Sequence, residues 1–230
     1  MASYVGTIRA RLAWPPLHWA IIWTLATVGA IPAAVLAWPF LYIPGLMLGA
    51  TITPDAEMGI FYWTIPLPLA AGLGLVQALV LEDQLTKWRG PWQRRGVWLA
   101  ATVGGAILGM AGAGVILLVA SKVAEPPPPM LWALPLMGMI LGTALGAAQG
   151  LILRLVGVRL APWITANAAA GAVIGLALGL FVAYVAGPYV NLIEEVLLVG
   201  IKFSPIYGVV TGATLGALLA ARAPAHGQAG

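Results

Sequence analysis

The sequence predicts an all-α fold: a polytopic membrane bundle of six transmembrane helices, both termini cytoplasmic, built from parallel repeats of a helical hairpin. Three observations predict it. Of 230 residues, 61% are apolar and 8% are charged, against roughly 25% charged in soluble domains. The mean hydropathy is +0.98. Such a chain is too poor in charge to cover a water-soluble surface and too apolar to stay disordered. Second, six apolar stretches are long enough to cross a hydrocarbon core of about 30 Å, which takes about 20 helical residues. Third, the basic residues cluster in alternate connections.

The spans fall at about 17–38, 60–81, 97–120, 130–153, 162–187 and 196–221, in one domain over 1–222 with a polar tail at 223–230. The first apolar run is too long for a signal peptide and is expected to remain as an anchor. Nine of the eleven Lys and Arg residues lie on one side: Arg9, Arg11, Lys87, Arg89, Arg94, Arg95, Arg154, Arg159 and Arg222. The other connections hold Asp55, Glu57, Glu125, Glu194 and Glu195 against Lys122. The positive-inside rule then places both termini in the cytoplasm, and the location is the cell inner membrane. The same rule accounts for a pI near 9.7 without a nucleic-acid partner.

Tryptophans mark the boundaries. Trp14, Trp19, Trp88, Trp92, Trp98 and Trp163 fall near the cytoplasmic interface, and Trp38, Trp63 and Trp132 near the outer one, as an interfacial belt would place them. Trp23 alone sits inside a span. The run Glu125 to Pro129 reads as a stiff outer connector. The segment 39–59 is too apolar for an ordinary loop and reads as interfacial or re-entrant.

Self-comparison reveals the repeat. GLGLVQALVL at 72–81 matches ALGAAQGLIL at 144–153 at five of ten positions. GAILG at 105–109 matches GAVIG at 171–175, and TGATLGALL at 211–219 matches 145–153 at four of nine. Spans two and three form one hairpin, four and five another, and span six begins a third that span one completes in space. Small residues recur every fourth position: Gly105 and Gly109; Gly138, Gly142, Gly146 and Gly150; Gly171, Gly175 and Gly179; Gly208, Gly212 and Gly216. Helices in lipid associate by close packing, which such stripes permit, so these faces are expected inside the bundle.

Polar residues at membrane depth are candidates for a site because each is costly unless paired. Gln77 and Gln149 occupy equivalent repeat positions, where the third copy as aligned has Leu215. Asn167 lies on the glycine stripe of span five. Lys202 lies seven residues past Glu195, about 10 Å along a helix, and an ion pair with Glu194 or Glu195 would lower its cost. Ser204-Pro205 predicts a kink in span six. His18, at the edge of span one, is the candidate axial ligand for a pigment or haem.

Catalytic signatures are missing. Without cysteine there is no disulfide, thiolate metal site or cysteine nucleophile. Glu194-Glu195 resembles the paired glutamates of CAAX-type membrane proteases, but the following arginine and the later histidine motifs are absent. The serines at 3, 121 and 204 fit no rhomboid motif, and neither HExxH nor a P-loop occurs. The chain is therefore expected to be no enzyme, with no cofactor and no metal.

Six spans in about 200 residues resemble the substrate-binding membrane subunits of energy-coupling-factor importers. The element Gly146, Gln149, Leu153, Arg154, followed by Trp163, is similar to a G-x-x-Q-x-x-x-L-R repeat of uncharacterised bacterial multi-pass proteins. Gly74, Gln77 and Leu81 carry it in the first copy, where Glu82 replaces the arginine. This resemblance covers about 70–180 and implies fold and membrane location alone. The functional expectation is a non-catalytic accessory or assembly subunit of a membrane complex, with lipid and a membrane-protein partner or second copy around it. The alternatives are a small-solute transporter, or its substrate-binding subunit, using Gln77, Gln149, Asn167 and Lys202, and a pigment- or quinone-associated subunit using His18.

Overall fold

The computed structural model describes residues 15–52, 66–82, 85, 90–122, 130–184 and 192–222. They form α1 (Pro16–Ile52), α2 (Pro66–Leu81), α3 (Pro91–Lys122), α4 (Met130–Leu155), α5 (Leu160–Tyr184) and α6 (Leu192–Arg222). Among the described residues there is no strand. Three of the helices begin on proline, whose fixed φ suits the first helical position and whose missing N–H would be unbonded there anyway. Each helix packs on its neighbours in sequence, and α6 packs back on α1. The six therefore close a ring.

Five helices hold segments long and apolar enough to cross a membrane: Pro16–Ala34, Trp92–Ile116, Leu131–Leu155, Leu160–Phe181 and Ser204–Ala221. The described chain is thus a helical membrane protein by length and composition. The 16 described residues of α2 extend about 24 Å; residues 60–65 of the expected second span lie outside the described set. The 39–59 segment differs from expectation. Helix α1 runs unbroken over 37 residues to Ile52, through Pro32, Pro39 and Pro44, so 39–52 is helical rather than re-entrant, and 53–59 is undescribed. Prolines are tolerated in membrane helices because neighbouring groups re-satisfy the freed backbone. α6 is likewise continuous across Pro205.

Glycines sit where helices touch. A Cβ on Gly138 would collide with Gly171 O, one on Gly142 with Asn167 O, and one on Gly175 with Leu134 O. α4 and α5 therefore meet backbone to backbone. Gly109 packs on Leu141, with 2.8 Å from its added Cβ to Leu141 Cα, and Gly105 on Leu145, at 3.0 Å to its Cα. Gly208, Gly212 and Gly216 face Thr24, Trp23 and Trp19 across the α6–α1 contact. Gly179 is buried. The outward faces carry large apolar side chains such as Leu25, Leu108, Val115, Leu151 and Leu176, all exposed, as a lipid-facing surface requires.

The α4–α5 turn is closed by a Schellman motif. Val158 N–H donates to Leu153 O at 3.0 Å and Gly157 N–H to Arg154 O at 2.9 Å. Gly157 has φ 87°, the left-handed conformation that glycine adopts without steric cost. Val158 and Leu153, flanking it, are both buried in the main apolar cluster.

The tryptophan belt needs correcting. Trp19, Trp98 and Trp163 do not face outward as belt residues would but are fully buried in the same cluster as Trp23. Trp92 and Trp132 are exposed, as a boundary position allows. The sequence misleads here because a tryptophan one turn inside a span end reads as interfacial, whichever face of the helix it occupies.

Candidate polar site in the bundle core

Three tryptophans come from the three odd-numbered helices and meet inside the ring. Trp23 stands edge-on to Trp98 and to Trp163, with ring centroids 6.1 and 6.0 Å away. One turn along each helix comes a polar side chain tied back to the tryptophan carbonyl. Thr27 Oγ1 donates to Trp23 O at 2.8 Å, Thr102 Oγ1 to Trp98 O at 2.9 Å, and Asn167 Nδ2 to Trp163 O at 2.9 Å. Sequence reasoning missed this set. Its signal is W-x-x-A-[TN] at 23–27, 98–102 and 163–167, with W-x-x-A-T-V-G shared outright by 23–29 and 98–104.

The even-numbered helices supply the facing positions, and glycine contacts fix their register. Gly74 lies against Leu99 and Thr102, and Gly146 against Ile164 and Asn167. On α6 the matching contact, with Thr24, is made by Gly208. Gly150 meets Leu160 and Trp163 as Gly212 meets Ala20 and Trp23. The residue facing as Gln77 and Gln149 do is therefore Thr211, not Leu215. Leu215 instead matches Leu81 and Leu153, all three fully buried. The sequence alignment of the third segment was one helical turn out, because glycine every fourth residue makes adjacent registers score alike.

Polar bonding links these layers. Gln149 Nε2 donates to Thr102 Oγ1 at 3.0 Å and to Gln77 Oε1 at 3.3 Å. The second bond joins α2 to α4, which are not ring neighbours, so it crosses the interior. Thr102 has committed its proton to Trp98 O, so it can only accept from Gln149. That fixes the orientation of the Gln149 amide. Trp23 Nε1 donates to Thr211 Oγ1 at 3.0 Å, and Thr211 Oγ1 to Tyr207 O at 2.7 Å. Tyr207 OH donates to Asn167 Oδ1. The buried polar residues among those described are Thr27, Gln77, Thr102, Gln149, Asn167 and Thr211, with no charged side chain.

Of the sequence candidates, Gln77, Gln149 and Asn167 thus enter the core, the two glutamines bonded together and Asn167 to Tyr207. Lys202 does not join them. It is exposed, and the apolar stretch of α6 begins past it at Ser204. Glu194 and Glu195 fall in the first turn of α6, and their side chains lie outside the described residues, as does their expected pairing with Lys202. His18 occupies the first turn of α1, exposed. Among the described residues no group of His, Asp or Glu has the arrangement of a metal site.

Away from the core, Glu82 receives two bonds from the Arg95 guanidinium, at 2.7 and 3.0 Å. Arg94 Nη1 donates to Glu82 O at 3.3 Å. The carboxylate that replaces the motif arginine therefore ties the end of α2 to the start of α3. Arg95 also lies 5.5 Å from the Trp92 ring centroid.

No family model, no curated protein and no solved structure matches the chain.

Proposed function

We propose that this chain is a non-catalytic integral membrane protein, an accessory or assembly subunit of a larger membrane complex. The observation that carries the reading is the sealed core. The amides that a solute site would use are fully buried and bonded to each other, beside three packed tryptophans. Among the described residues, the buried polar set includes no charged side chain. What remains for interaction is the apolar outer face, where large side chains stand exposed.

In this reading the chain crosses the inner membrane six times with both termini cytoplasmic. Three hairpins, α2–α3, α4–α5 and α6–α1, run in parallel around a pseudo-threefold axis. The recurrence of W-x-x-A-[TN] and of the glycine contacts supports that reading. A chain free of cysteine makes topology simple to test. Single cysteines at 55, 125 and 187 are expected to react with an impermeant maleimide from outside intact spheroplasts, and those at 87 and 157 only after lysis. The reverse pattern inverts the topology.

The subunit role is tested by purifying the tagged protein from its native host in mild detergent, with mass spectrometry of proteins and small molecules. Membrane proteins in fixed stoichiometry are expected. A lone monomer carrying a specific solute contradicts the subunit reading. It favours the second one, a carrier of a neutral solute, for which the hydrogen-bonding capacity left open in the core is the observation. On that second reading the solute raises the melting temperature, and Gln149→Ala abolishes the rise.

A further inference from the structure

Among the described residues, Trp98 Nε1, Trp163 Nε1 and Gln149 Oε1 are buried polar atoms of the core with no hydrogen-bond partner. Their counterpart Trp23 Nε1 is satisfied by Thr211. The difference traces to side-chain length. Thr211 is short and stays beside the indole of its own helix pair. The glutamines that stand at its position on α2 and α4 reach further, toward each other and toward Thr102. They leave the indoles of Trp98 and Trp163 unbonded.

These orphans belong to one neighbourhood. Trp98 and Trp163 both pack edge-on against Trp23. Gln149 is bonded to Thr102, one turn from Trp98 on the same helix. A Cβ on Gly150 would lie 3.2 Å from Trp163 Cδ1, the carbon next to Nε1. The N–H edge of that indole therefore borders the backbone beside Gln149.

Unpartnered polar groups are costly in so dry a setting. Proteins satisfy them with buried water, which makes about three hydrogen bonds. We propose that a resident water molecule accepts hydrogen bonds from Trp98 Nε1 and Trp163 Nε1 and donates one to Gln149 Oε1. An anion suits the two donors but is repelled by the amide oxygen, and a cation suits the oxygen but faces two N–H groups. A neutral molecule that accepts twice and donates once satisfies all three, and water is the smallest.

The test is nuclear magnetic resonance of the 15N-labelled full chain in nanodiscs, with indole signals assigned by Trp98→Phe and Trp163→Phe. Both indole protons are expected to show cross-peaks to a long-lived bound water. In Gln149→Thr, which copies the pairing Trp23 makes, the Trp163 proton loses its cross-peak while the Trp23 signal stays in place. A missing water cross-peak at either indole of the unaltered protein overturns the proposal. So does a cross-peak to carbon-bound protons of a co-purified solute instead, or persistence of the Trp163–water cross-peak in a folded Gln149→Thr. The measurement on the unaltered chain decides the matter even where that variant fails to fold.

Discussion

Gln149 holds the core together through a choice imposed by a neighbour. Because Thr102 spends its proton on a helix carbonyl, it can only accept, and the amide must present nitrogen. Side-chain hydrogen bonds inside membrane proteins average about 0.6 kcal/mol and reach about 1.7. Gln149→Leu is therefore expected to lower stability by about 1 kcal/mol in a mixed-micelle unfolding titration. Thr102→Val should cost a similar amount, and the double variant less than their sum. Strict additivity would show that the pair does not interact. Glu82→Gln, at a partly exposed ion pair, should cost less than about 1 kcal/mol in the same titration. The two glutamines were legible in the sequence, since an amide in an apolar span stands out. Thr102, Thr211 and Tyr207 were not, because hydroxyl residues are ordinary in membrane helices and reveal a role only once a distant helix supplies the partner.

At the scale of elements, glycine does two different jobs. Gly157 supplies a backbone conformation. Its φ of 87° costs other residues about 1–2 kcal/mol, so Gly157→Ala should lower stability by about that much. An unchanged unfolding midpoint would mean that the α4–α5 turn has another geometry. Gly138 and Gly171 supply closeness instead. A side chain at either meets the backbone of the facing helix, which no rotamer can avoid. Gly138→Leu is expected to separate α4 from α5 and abolish the folded, monodisperse species in size-exclusion chromatography, whereas Gly114→Leu, in open space, should leave it intact. The stripes foretold these contacts, yet the same periodicity blurred the register of α6 by a turn. The end of span one misled in another way. It was expected at about 38, but α1 runs on through Pro39 and Pro44 to Ile52.

At the scale of the molecule, the all-helical membrane character was legible because composition and length decide it: five helices meet the requirement for crossing a membrane. Ring closure was legible only as the idea that span one completes the third hairpin, since nothing local in a sequence reports contact across 188 residues. The sealed interior was hidden altogether. Trp98 and Trp163 differ from boundary tryptophans only in the helix face they occupy, which becomes visible once W-x-x-A-[TN] is seen to recur. The proposed role rests on this closed core, and closure rests on α1 meeting α6. The most direct test is a double-mutant cycle between Trp23→Phe and Thr211→Val, read as unfolding free energies in mixed micelles. Bonded partners in direct contact couple by about 0.5–3 kcal/mol, whereas independent sites add within about 0.3–0.5. The predicted coupling is about 1 kcal/mol; additive losses would contradict a ring closed through these two helices.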